Sequence, residues 1–114
     1  METTPPGGTD VVVVLTSLPP NADAAAFVRT LVERGLVACG TLLPGARSIY
    51  RWQGQVEDAA ETIVLLKTTV ACVPLLREQL PSHHPYEVPE LLVLPCTDGL
   101  PAYLAWVRGE VAKG

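Results

Sequence analysis

Cysteine is scarce in this chain. Cys39, Cys72 and Cys96 are three in number, widely spaced and without a CxxC pair. That excludes a disulfide framework and a closed zinc site, and it makes the reducing cytoplasm the expected compartment. Positive charge is scarce as well, with eight Lys and Arg against twelve Asp and Glu and a net charge of −4. Without a basic cluster, nothing points to nucleic acid or to an anionic membrane as partner. The apolar run Val11 to Leu15 is far too short to span a bilayer. No nucleophile elbow, phosphate loop, HExxH or triad pattern is visible, so an enzyme is not expected.

What the chain does have is a globular composition, 48% hydrophobic over 114 residues. A domain of this size buries roughly two-thirds of its unfolded surface, enough for one stable core. Residues 1–9 are rich in Thr, Pro and Gly and lack the basic start and apolar run of a signal peptide, so they read as a flexible tail. Residues 10–114 read as a single domain.

Val11 to Leu15 is β-branched and predicts a central strand. Pro19-Pro20 ends it, and Asn21 is the expected N-cap of a helix carrying Ala24, Phe27, Val28, Leu31 and Val32 at helical spacing. Gly35 stops that helix. Leu36 to Trp52 predicts a strand bent at Pro44-Gly45. Gln53-Gly54 is a turn, and the return strand runs from about Glu61 to Thr69, with Val56 to Ala60 as its looser part. Pro74 suits the first turn of a short helix that Pro81 closes. Val88 to Cys96 is expected as a fourth strand, and Pro101 opens a last helix bearing Leu104, Val107 and Val111.

The order is β-α-β-β-α-β with an added C-terminal helix: an α+β, ferredoxin-like sandwich with a long hairpin between its second and third strands. Those hairpin arms outrun the usual strand of about five or six residues. The excess would carry Tyr50, Trp52 and Val56 into water. Pairing with another subunit is the simple remedy, so a homo-oligomer is expected.

Ser82-His83-His84-Pro85-Tyr86-Glu87-Val88-Pro89-Glu90 holds both histidines of the chain, a phenol and two carboxylates in a proline-stiffened segment. Imidazole suits copper, nickel and zinc. Yet neighbouring side chains in extended backbone point to opposite faces, so a shared ion needs ligands from elsewhere. The pair also reads as a helix-end pair with one ring in solvent. Period two puts Val88, Glu90, Leu92 and Leu94 on one face and Glu61, Ile63, Leu65 and Lys67 on another, which makes Lys67–Glu90 a candidate ion pair. Tyr50 and Trp52 share a face and suit an interface or the wall of a cleft. Cys39 reads as a small buried hydrophobe or a thiol near that cleft.

Leu36-Val37-Ala38-Cys39, Leu43-Pro44-Gly45, Ser48-Ile49-Tyr50-Arg51-Trp52-Gln53-Gly54, Glu61, Lys67-Thr68-Thr69, His83-His84-Pro85-Tyr86, Pro89-Glu90 and Tyr103-Leu104-Ala105-Trp106 occur in this order. In that combination the chain resembles the CutA family of divalent-cation tolerance proteins over nearly its whole length after Thr9. The resemblance implies a ferredoxin-like subunit in a tight homotrimer that looks similar to the PII signalling proteins. It implies binding of divalent metal ions, copper among them, by His83 and His84. Near the subunit boundary of such a trimer, Cys39, Tyr50, Trp52, Lys67, Tyr86 and Glu90 are the residues expected to line an intersubunit cleft. A small-molecule sensor or signalling scaffold with ligands between subunits is the alternative. The chain departs from the pattern at Thr16, where some members carry a copper-binding cysteine, and at Gly40-Thr41, where many have Val-Asn.

Overall fold

The structure, a computed structural model, describes residues 9–111. Residues 1–8 of the expected tail and residues 112–114 of the expected domain lie outside the described residues. The elements are β1 (Val11–Leu18), α1 (Ala24–Glu33), β2 (Cys39–Trp52), β3 (Gln55–Thr69), α2 (Val73–Gln79), β4 (Leu92–Pro95) and α3 (Pro101–Glu110). A short 3₁₀ turn, Val70–Cys72, precedes α2, and a second, Leu80–His83, follows it. One antiparallel sheet runs in the order β2-β3-β1-β4. This is the ferredoxin-like α+β plan.

Pleating puts Val12, Val14, Thr16 and Leu18 of β1 on one face of the sheet, and all four are buried. Val64, Leu66 and Thr68 of β3 join them, and Leu31 of α1 with Leu76 and Leu80 at α2 completes the core. Gly40 of β2 lets α1 approach closely: a Cβ there would stand 2.6 Å from Val28 Cγ1. The opposite face is only partly covered. α3 lies across its end, where Tyr103 Oη is 3.7 Å from Cys39 Sγ and Arg108 pairs with Asp10 at 2.8 Å. Farther along that face Leu43, Leu92 and Leu94 are exposed.

Several details differ from the sequence reading. Asp23, not Asn21, caps α1, its Oδ1 accepting from Ala26 N–H at 2.9 Å. Pro81 does not stop the second helix at once but tightens it into the 3₁₀ turn. The expected strand Val88 to Cys96 shrinks to Leu92–Pro95, because Pro85 and Pro89 have no N–H to give a ladder. Val56 to Ala60 is not loose: it pairs without a break against Arg47 to Arg51.

The hairpin arms are 14 and 15 residues long. Their register shifts once, between Leu43 and Ala46, where Pro44 cannot donate and Gly45 takes φ +81°. At the tip Gln53 (φ 49°) and Gly54 (φ 82°) make the two-residue turn whose twist matches a hairpin. The ribbon stretches the molecule to 52 Å along its longest axis, against 28 and 24 Å across. Ile49 and Val56 on it are 68% and 65% exposed, beside Tyr50 and Trp52.

Candidate functional site

The site is built where the loop after α2 crosses the far end of β1. Pro85 pushes the residue before it into extended backbone, and His84 sits at φ −108°, ψ 136°. That conformation drives its ring inward, leaving it 8% exposed. Nε2 lies 2.8 Å from the Ser17 carbonyl oxygen, which can only accept, so Nε2 carries the proton. Nδ1 accepts from Tyr86 N–H at 3.1 Å. Thr16 Oγ1 is 3.3 Å from Nε2, and Phe27 stacks edge-on with centroids 5.8 Å apart. These partners together admit only the neutral Nε2–H form. Burial holds the His84 pKa below the ordinary histidine value, against smaller opposing effects of the Ser17 carbonyl and the Glu61 charge.

His83 turns the other way. Its Nε2 lies 3.0 Å from Nη1 of Arg34, which also donates to Gln79 Oε1 at 3.0 Å. The ring is half-buried at the surface.

Tyr86 links this anchor to a cleft. Its ring packs 5.2 Å from that of His84, and its hydroxyl donates to Glu61 Oε2 at 2.8 Å. Burial, and then the Glu61 carboxylate, push its pKa up to about 12, so it remains a donor at neutral pH. Glu61 itself is 7% exposed. The cleft has a volume of about 590 Å³. β2 supplies Ser48, Ile49, Tyr50 and Trp52, and the loop supplies Tyr86, Glu87, Val88 and Glu90. Ser17 and Glu61 close it from β1 and β3.

Of the expected cleft residues, Tyr50, Trp52, Tyr86 and Glu90 therefore meet. Cys39 and Lys67 do not line it. They are cross-strand partners opposite Val13, four residues along β1 from Ser17, which is roughly 13 Å in a strand. Lys67 bonds Thr41 Oγ1 and forms no ion pair with Glu90, because Glu90 lies before β4 begins, toward the Ser17 end. Glu61, Ser17, Ser48 and Glu87 were missed as cleft residues: the sheet register brings Ser17, Ser48 and Glu61 together, and the course of the loop after α2 adds Glu87.

The sequence profile described as CutA1 divalent ion tolerance protein matches residues 12–110. The chain belongs to this family. It is 46% identical over 102 residues to the divalent-cation tolerance protein CutA of Citrobacter koseri, covering 90% of this chain and 89% of that one. Among solved structures, the divalent cation tolerance protein from Thermus thermophilus superposes with a TM-score of 0.85 at 41% identity. That match covers 90% of this chain and 99% of the other. The PII-like protein CutA from Nostoc sp. PCC 7120 gives 0.82 at 34%, with coverage of 90% and 99%.

For a CutA1-family subunit the question is whether these residues fit a metal ion. Among the described residues no three His, Cys, Asp or Glu side chains converge to hold one. His83 and His84 diverge, and both nitrogens of His84 are occupied. The nearest polar side chain to His84 Nε2 is a threonine hydroxyl, a poor ligand for soft copper compared with thiolate. Two imidazoles on one ion do not fit within a single chain. No helix among the described residues is long and apolar enough to cross a membrane.

Proposed function

We propose that this subunit serves divalent-cation tolerance by binding, not catalysis, as a cytoplasmic homotrimer. The observation that supports the assembly is the ribbon: Ile49, Tyr50, Trp52 and Val56 stand in water on arms too long for their own sheet. A neighbouring copy would cover them and close the cleft at the ribbon's root. Sedimentation should then give three times the 12.2 kDa chain mass.

Copper and related divalent ions are the proposed metals. His83 is the first ligand, since its ring is reachable and only Arg34 must move. His84 stays on the Ser17 carbonyl, so the further donors come from another copy. Titrating the reduced protein with copper(II), nickel(II) and zinc(II) tests this beside the His83→Ala/His84→Ala double variant. Saturable binding lost in the variant supports the proposal, and binding that is absent or unchanged removes it.

A second reading, a small-molecule sensor, is favoured by the cleft itself. It has an aromatic wall, a buried carboxylate and no converging metal donors among the described residues. A ligand screen followed by tryptophan fluorescence tests it.

A further inference from the structure

Building on the small-molecule reading of the cleft, we infer that its ligand is an organic cation, a molecule with an ammonium or guanidinium head, and not a bare metal ion or an anion. The inference starts from Glu61. A carboxylate 7% exposed is costly to bury unless a cation faces it. Among the described residues the ion pairs are Arg47–Asp58, near the root of the ribbon, and Arg108–Asp10, and neither includes Glu61. Oε2 of Glu61 takes the Tyr86 hydroxyl, a neutral donor that leaves the charge in place. Its other oxygen accepts no hydrogen bond from the described residues. Because no fully buried polar atom among them lacks a partner, that oxygen is open to the cleft it lines.

The walls select among cations. Tyr50 and Trp52 line the same cleft farther out along the ribbon, four and six residues beyond Ala46, the cross-strand partner of Glu61, and both are close to half exposed. An alkylammonium or guanidinium group gains from such faces as well as from the acid, whereas a hydrated metal ion leaves them unused. An ion would also require several converging donors, which the described residues do not supply. About 590 Å³ falls within the range of small-molecule sites and far exceeds a single ion. Glu87 and Glu90 add negative charge at the rim, and among the described residues of the chain no Lys or Arg lines the cleft, so the subunit's own walls favour a cation over an anion.

The test uses the full chain with Trp106→Phe, leaving Trp52 as the only tryptophan. The probes are putrescine and agmatine, beside 1,4-butanediol as the neutral isostere, succinate as the anion, and zinc(II). The expected result is saturable change in Trp52 fluorescence with the two amines alone. In Glu61→Gln, which is isosteric and keeps an oxygen for Tyr86, their affinity should fall at least about tenfold, the cost of losing a charge-assisted contact. Should the Glu61→Gln variant prove unfolded by circular dichroism, Glu87→Gln with Glu90→Gln followed by calorimetry asks the same question from the rim, where a loss of amine affinity is again expected and an unchanged affinity overturns the charge inference. Equal binding of diol or succinate overturns the charge inference and leaves the small-molecule cleft standing. Zinc bound in preference to the amines through Glu61 overturns it in favour of a metal seat. No response to any probe removes both the inference and the reading beneath it.

Discussion

Tyr86 gives its hydroxyl proton to Glu61 across the base of the hairpin at 2.8 Å, and the backbone N–H of the same tyrosine is held by Nδ1 of His84. One residue thereby ties the loop after α2 to both a buried imidazole and a buried carboxylate. The loop needs this, because two prolines deny it a place in the sheet. Tyr86→Phe keeps the ring and deletes the bond. Hydrogen bonds to charged groups contribute about 1.5–3 kcal/mol, so urea unfolding should show a lower midpoint with an unchanged slope.

His84 makes stability depend on acid. The unfolded ring takes up a proton near pH 6.5, while the buried ring does so only at lower pH. The unfolded state therefore binds protons first. The stabilisation is complete above about pH 6.5 and is lost as pH falls through the depressed folded value. His84→Gln, which can still donate to the Ser17 carbonyl, should lose this slope while keeping the carboxylate-dependent acid denaturation common to both proteins. Urea midpoints from pH 8 to pH 5 check the difference.

Tyr86 acts at the alkaline end. An unfolded tyrosine ionises near 10 and the folded one at about 12. Stability should fall as pH rises between those values, and Tyr86→Phe should flatten that limb in the same unfolding assay.

Gly40 is explained by packing. A methyl group there would stand 2.6 Å from Val28 Cγ1 and 3.0 Å from Leu66 Cδ2. This is one of the positions where the chain departs from the pattern it resembles, and Val28 fills the space that a larger residue would need. Gly40→Ala should cost about 1–3 kcal/mol by overpacking. Combining it with Val28→Ala should restore part of that loss, a non-additivity readable from thermal unfolding.

The ribbon carries the assembly. Trp52→Ala with Val56→Ser removes exposed apolar surface that the subunit core does not use. Sedimentation at low micromolar concentration should shift toward single chains while circular dichroism stays the same. An unchanged mass would remove the ribbon from the interface.

Much of this was legible in the sequence for local reasons. A β-branched run, helical spacing from Ala24, the Gln53-Gly54 turn and Pro101 each act over a few residues, and each produced the expected element. Apart from the cap of α1, which fell to Asp23 and not Asn21, what failed at the site depended on partners distant in sequence. The length of β4 hinged on whether Pro89 faced a ladder. The Lys67–Glu90 pair failed because Lys67 stands at Val13 whereas Glu90 lies toward Ser17. The Glu61–Tyr86 and Ser17–His84 contacts span 25 and 67 positions, and only the assembled sheet brings them together.

The most direct measurement is ¹⁵N NMR of the two imidazoles during a zinc(II) titration of the reduced protein at pH 7. The expected result is that His84 keeps its proton on Nε2, facing the Ser17 carbonyl, while any response to zinc comes from His83. Loss of the His84 Nε2 proton in step with a shift at His83 would contradict this, making the histidine pair a shared metal site and His84 a ligand instead of the anchor of the cleft.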